Sequence, residues 1–234
     1  IKHINVPHES HAVALVAGNN IKSGDIGLVY LQNSGLGNIV NPVTSICDKQ
    51  VYDTPCVFLV GQRQDEAQHK TMGSITKSLL RQLDIQYAVI NNNFKSQIKR
   101  AVEHCRKNNK SFALISDSDT FDKIRVHQRK SGDNRRKILE MLCRHVGSKH
   151  RIVTCTGYTS RELFEIKKNK QSNFILNVGG MGLTGTLAAG IAHQHKGKVF
   201  CVDGDAAILM HAGALTVTAQ CDNLIHVLLN NGMH

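Results

Sequence analysis

Apolar, β-branched runs of strand length recur along the chain, separated by stretches whose apolar positions repeat at helical spacing. The runs fall at 26–31 (IGLVYL), 56–60 (CVFLV), 85–90 (IQYAVI), 112–116 (FALIS), 151–155 (RIVTC), 173–177 (NFILN), 198–203 (KVFCVD) and 224–229 (LIHVLL). Near-continuous apolar strands imply burial on both faces, and therefore parallel sheets covered by helices. Helices are predicted over 9–19, 38–48, 74–83, 95–107, 134–146, 159–168, 183–195 and 207–219. The alternation places the chain in the α/β class. The polar, basic stretch 117–133 (DSDTFDKIRVHQRKSGD) breaks the rhythm. It predicts two α/β units, 1–120 and 134–234, joined by a linker at 121–133. Binding residues should gather at the carboxyl ends of the strands, where parallel sheets open their crevices.

The 234 residues suffice for two modest cores. No window approaches the roughly 20 apolar residues of a membrane helix, and IKHINVPHES carries no export signal. Seven scattered cysteines (Cys47, Cys56, Cys105, Cys143, Cys155, Cys201, Cys221) form no CxxC pair. They read as small buried hydrophobes of a reducing cytosol, not as a disulfide framework or structural zinc site. The net charge of +11 concentrates between Lys95 and Lys170. Such a charge fits a solvated basic face, a nucleic-acid binder, or an enzyme that attracts anionic ligands. An aromatic content of 5%, with no stacking platform, argues against nucleic acid.

The most informative segment is 196–232, KGKVFCVDGDAAILMHAGALTVTAQCDNLIHVLLNNG. One strand ends in Asp203-Gly204-Asp205, a helix follows, and a second strand ends in Asn230-Asn231. In a β-α-β unit the two strands lie parallel, so Asp205 and Asn231 should project from one sheet edge. A charged and a neutral oxygen ligand together suit Mg²⁺, which shares its shell with phosphates and waters. A helix starting at Ala206 would aim free N–H groups at the same anion, and the small Gly204, Ala206 and Ala207 would let a phosphate approach.

This GD…NN arrangement resembles the metal-diphosphate motif of thiamine diphosphate enzymes. The resemblance implies two doubly wound parallel-sheet domains of the thiamine diphosphate-binding fold, one for the pyrimidine and one for the diphosphate. It implies thiamine diphosphate and Mg²⁺ as cofactors, with Asp205, Asn231 and the main-chain carbonyl of Met233 as metal ligands. The family's usual glycine after the aspartate is Ala206 here. In Asn177-Val178-Gly179-Gly180-Met181-Gly182, Met181 matches the apolar wedge beneath the cofactor, with Gly179 offering its carbonyl to the aminopyrimidine and Gly180 beside it. Thr156, in TGYTSREL, matches the loop near the diphosphate.

Glu9, in HESHAVALVAG, matches the glutamate that protonates the aminopyrimidine; on position alone it would be an ordinary helix-start residue. The run LVYLQNSGLGNIVNPVTSICDKQVYDTPCVFLVGQR resembles the phosphonopyruvate decarboxylases and their sulfopyruvate relatives. That branch implies decarboxylation of a small anionic 2-oxo acid, phosphonopyruvate first. It also implies a cytoplasmic homodimer or larger homo-oligomer with active sites between subunits. His69 is a candidate for proton transfer, and Asn33, Ser34, Arg161, His234 and Arg63 are substrate candidates. The stretch after Arg63 is shorter than the family pattern, and a strand before Glu9 and a continuation after His234 are lacking. Parts of both domains are therefore expected to lie outside this chain.

Overall fold

A computed structural model describes residues 3–122, 132–167 and 173–232. The chain divides into two compact units, Ile1–Arg125 and Val126–His234. The division falls inside the basic stretch expected to link them, most of which lies outside the described residues.

In the first unit, strands β1 (Leu28–Gln32), β2 (Val57–Gly61), β3 (Gln86–Val89) and β4 (Phe112–Ser116) form one parallel sheet of order β1-β2-β4-β3. The order explains the composition. Central β4 (FALIS) is buried at every position, whereas edge strand β1 alternates exposed with buried residues. Helices α1 (Glu9–Ser23), α2 (Leu36–Thr44) and α3 (Lys70–Gln82) contribute Val13, Leu36, Ile39 and Leu80 to one core, against Val29, Phe58, Val60 and Ile115. On the opposite face α4 (Phe94–Asn108) packs Ala101 and Cys105 against Val57, Phe112 and Leu114.

The second unit repeats the plan with order β6-β5-β7-β8, again all parallel. Its strands are β5 (Arg151–Thr154), β6 (Phe174–Leu176), β7 (Val199–Gly204) and β8 (Leu224–Leu229). From β5 the chain moves to β6 at one edge, then returns to β7 on the other side. The sheet's direction of winding therefore reverses between β5 and β7, and a crevice opens outside their carboxyl ends. Helices α5 (Gly132–His145) and α6 (Tyr158–Lys167) cover one face through Leu139 and Leu163. Helix α7 (Thr184–Gln194) covers the other with Ala188, Ala189 and Ala192, small residues that bring helix and sheet close.

All eight predicted strands are present. Four predicted helices differ: that expected at 9–19 continues to Ser23, that expected at 74–83 begins at Lys70, and two change further. The helix expected at 38–48 runs Leu36–Thr44, because Thr44 and Ser45 turn their hydroxyls back onto the carbonyls of Val40 and Asn41 and end it. The helix expected at 207–219 is two short ones, α8 (Asp205–Met210) and α9 (Ala214–Thr218). His211 leaves helical geometry at φ −136°, ψ 56°, and Gly213 follows it.

Candidate active site

In the second unit the loops at the carboxyl ends of the strands form a continuous rim. Behind β5, Thr156 donates its hydroxyl to the Val178 carbonyl behind β6 (3.2 Å). The loop 177–183 is shaped by two glycines at positive φ, Gly180 (62°) and Gly182 (85°), and by Asn177, whose amide donates to Thr184 Oγ1 (3.1 Å). At Gly182 an added Cβ would stand 2.9 Å from the Ala207 carbonyl and 3.2 Å from His211 Cβ. Only glycine lets this loop lie against α8. Met181 is half-buried within it, between Gly180 and Gly182.

The rim continues to Asp205, at the start of α8. Its Oδ2 accepts the main-chain N–H groups of Asn231 (3.1 Å) and Gly232 (3.0 Å), and its Oδ1 accepts that of Ala206 (2.9 Å). One carboxylate thus joins the end of β7 to the end of β8. The pairing of Gly204 with Leu229, the last residues of those strands, sets it at that height. A cleft of 480 Å³ opens here, lined by Gly204, Asp205, Asn230, Asn231, Thr159 and Arg135, among others. A carboxylate and an amide lining one cleft at the ends of β7 and β8, beside the winding reversal, form the kind of hard-oxygen donor set that suits Mg²⁺. Met233, the expected carbonyl ligand, and His234, a substrate candidate, lie outside the described residues.

One sequence reading of this corner changes. The helix entered here has only six residues, and its Ala206 N–H is occupied by Asp205 itself. One of the N–H groups at its start is therefore not free for an anion. Ala206 is helical and not among the residues at positive φ, so its methyl group costs the backbone nothing where the family has glycine.

Arg135 was not singled out in the sequence, where it stood in the basic run RRK. It lines the cleft and makes a two-pronged contact with Glu162, Nε to Oε2 at 2.9 Å and Nη2 to Oε1 at 2.6 Å. The hydrogen bond it donates to Glu162 pushes its pKa up against the opposing effect of burial, so it remains a fixed cation. Its guanidinium lies 5.4 Å from the Tyr158 ring centroid, and that of Arg161, a substrate candidate, lies 5.9 Å from the same ring. Arg161 is exposed.

In the first unit Glu9 opens α1, beside the capping His8, whose Nδ1 accepts the Ser10 N–H (3.1 Å). The Glu9 carboxylate is half-buried and accepts the Asn38 amide at 2.8 Å, while Ser10 Oγ donates to the Asn38 carbonyl at 2.5 Å. Asn38 therefore holds the candidate carboxylate from α2. The carboxylate also rests on Gly35, where a Cβ would fall 2.6 Å from Glu9 Cδ. The glycine-rich NSGLGN turn thus makes room for Glu9, a role its residue types alone did not reveal.

Asn33, a substrate candidate, is fully buried. Its amide donates to Arg63 O (2.9 Å) and Thr76 Oγ1 (3.1 Å) and accepts from Arg63 N (3.1 Å). It clamps the end of β1 to the segment after β2, and Ser34 is the neighbour exposed to solvent. Arg63 pairs with Glu66 at 2.6 Å, and His69 Nε2 lies 3.6 Å from the other Glu66 oxygen. Glu66 thus gathers Arg63 and His69 into one small cluster.

Residues 153–234 match the family model of the thiamine pyrophosphate enzyme C-terminal TPP binding domain. The matched stretch contains the rim just described, from Thr156 to Asn231. Over its whole length the chain is 29% identical to phosphonopyruvate decarboxylases of Streptomyces viridochromogenes and Streptomyces hygroscopicus. It spans 64% of the length of those relatives. Over 83 residues, 34% of this chain and 44% of the relative, it is 40% identical to the beta subunit of sulfopyruvate decarboxylase from Methanothermobacter thermautotrophicus. The resemblance read from the sequence is borne out, and so is the fold class: two four-stranded parallel sheets consistent with the thiamine diphosphate-binding fold.

Proposed function

We propose that the chain catalyses the decarboxylation of phosphonopyruvate to phosphonoacetaldehyde and CO₂, dependent on thiamine diphosphate and Mg²⁺. The observation that carries this reading is the cleft lined by both Asp205 and Asn231 at the ends of β7 and β8, inside the region that matches a TPP-binding domain. Similarity along the whole of this chain to part of the phosphonopyruvate decarboxylases supports the substrate.

When bound, thiamine diphosphate supplies an electron sink for the electrons released as CO₂ departs. The protein's task is to bind, orient and move protons. Asp205 and Asn231, with the Met233 carbonyl, would hold Mg²⁺ on the diphosphate. Thr156, Gly204, Ala206 and Ala207 would border the phosphates, and Arg135 would add a cation at the same edge. Gly179, Gly180 and Met181 would shape the bed of the cofactor. Glu9, held by Asn38, would exchange a proton with the aminopyrimidine ring. His69 is proposed for proton transfer to product, and Ser34, Arg63, Arg161 and His234 for contact with the doubly anionic substrate. The first unit would be the pyrimidine domain and the second the diphosphate domain.

We further propose a cytoplasmic homo-oligomer with active sites shared between subunits. Supporting it, the chain matches in part both alpha and beta subunits of sulfopyruvate decarboxylases. Among the described residues no helix is long and apolar enough to cross a membrane. The same matches favour sulfopyruvate as a second substrate reading. CO₂ release from each 2-oxo acid, measured with the cofactor and Mg²⁺, decides between them. Preference for phosphonopyruvate is the expected result. No release from either acid, with cofactor bound, would overturn the proposal.

A further inference from the structure

A second cluster of chemically active side chains lies in the second unit, below the candidate diphosphate cleft, on the sheet face covered by α7. Cys201 and Asp203 alternate along β7 and so share a face, and His226 on β8 sits opposite Cys201 in the register. Cys201 is fully buried and Asp203 is 2% exposed. The candidate ligand atoms of the three residues all lie within 4.8 Å of one another.

The geometry of His226 is the telling feature. Both of its ring nitrogens are buried, and neither makes a hydrogen bond. Burying such groups unpaired costs about 1–3 kcal/mol each, which makes an orphaned imidazole unusual. Its Nε2 lies 3.5 Å from Asp203 Oδ2, long for a hydrogen bond between these groups. Two ligands held at about 2.1 Å by one tetrahedral ion are themselves about 3.4 Å apart. A thiolate at about 2.3 Å would stand about 3.6 Å from each of them, so the sulfur needs to approach by only about 1 Å. From the helix side, α7 faces the cluster with the small Gly185, Ala188 and Ala189. The other Asp203 oxygen already accepts the Gly204 N–H at 3.1 Å, which fixes the carboxylate's orientation. Cys155, also buried, contacts Asp203 from the end of β5.

We propose that Cys201, Asp203 and His226 form a buried site for a thiophilic divalent ion, zinc by its ligand chemistry. Mixed sulfur, nitrogen and oxygen donors select such an ion over Mg²⁺. The site would staple β7 to β8 just beneath the strand ends that carry Asp205 and Asn231. It does not depend on the decarboxylase reading, since its residues touch neither substrate nor cofactor in that reading. The spacing of Cys201, Asp203 and His226 in sequence matches no familiar zinc motif, and only the strand register assembles them.

The test is titration of the reduced, metal-stripped chain with Co²⁺ in excess Mg²⁺, which keeps the Asp205–Asn231 cleft supplied with its own ion. One equivalent of Co²⁺ with a sulfur-to-cobalt charge-transfer band and a tetrahedral visible spectrum, displaced by Zn²⁺, is the expected result. Cys201→Ser should abolish the charge-transfer band, and His226→Gln should weaken binding at least tenfold. Cys221→Ser should leave the spectrum unchanged, separating this site from the nearby Cys221–His193 pair at 3.9 Å. Absence of a charge-transfer band in the parent protein would overturn the proposal, as would a band that persists in Cys201→Ser. Should Cys201→Ser not fold, Cys201→Ala, which keeps a small apolar side chain, takes its place with the same expected loss.

Discussion

Gly35→Ala separates the chemistry proposed for Glu9 from the stability of the fold. Gly35 has φ −82° and ψ −6°, a conformation alanine adopts without strain. Restricting the unfolded chain would even stabilise the protein by about 0.4–1 kcal/mol. The new methyl group would nevertheless meet Glu9, 2.6 Å from Cδ and 2.8 Å from Cγ, with Oε1 closer still. Carbon atoms settle at roughly 3.5–4.0 Å, so the carboxylate must withdraw by about 1 Å. That withdrawal breaks or stretches its 2.8 Å hydrogen bond from Asn38, a contact to a charged group worth about 1.5–3 kcal/mol. Stability should therefore change by no more than about 2.6 kcal/mol. A 1 Å misplacement of a reacting group costs on the order of 100-fold in rate. CO₂ release and chemical denaturation should be measured side by side. Exchange of the thiazolium proton of bound thiamine diphosphate with deuterium should be followed as well, because it reports activation of the cofactor without substrate. A kcat/KM within threefold of the parent, or an activity loss explained wholly by unfolding, would refute the role given to the Glu9–Gly35 contact.

Other perturbations test separate parts of the structure. Asp205→Asn removes the charge that three main-chain N–H groups now share, and should weaken Mg²⁺-dependent thiamine diphosphate binding about 10- to 100-fold by calorimetry, with the fold retained. Asn33→Ala strands the buried partners at Arg63 and Thr76 and should cost about 2–4 kcal/mol in urea unfolding. Burial pushes the Cys105 thiol up to about 11, so the folded state keeps a proton that the unfolded chain releases near pH 9. Stability from this group is full below pH 9 and declines as the pH rises towards 11, by up to roughly 3 kcal/mol. Cys105→Ala should flatten that alkaline decline in thermal unfolding, though it lowers stability at every pH by the small cavity it leaves.

Pattern and chemistry were legible at different depths. The apolar runs located the eight strands seen among the described residues, because the central strands of a parallel sheet need apolar residues on both faces and so announce themselves. Helix ends were less legible. The break at His211–Gly213 depends on how 205–218 fits against the loop at Gly182, a contact that no local preference encodes.

For the site, the sequence by itself determined which residue types stand at the ends of which strands: Asp205 after β7, Asn231 after β8 and Glu9 at the start of α1. Chain connectivity puts binding residues at strand ends, and sequence displays connectivity directly. Only the tertiary structure decided who their partners are. It gave Asp205 the N–H groups of Asn231 and Gly232, gave Glu9 to Asn38 and Gly35, and withdrew Asn33 into the interior. It also set His226 against Cys201 and Asp203, residues more than twenty positions away. Such partnerships are fixed by strand register and by close packing, which act across space and leave no periodic trace along the chain.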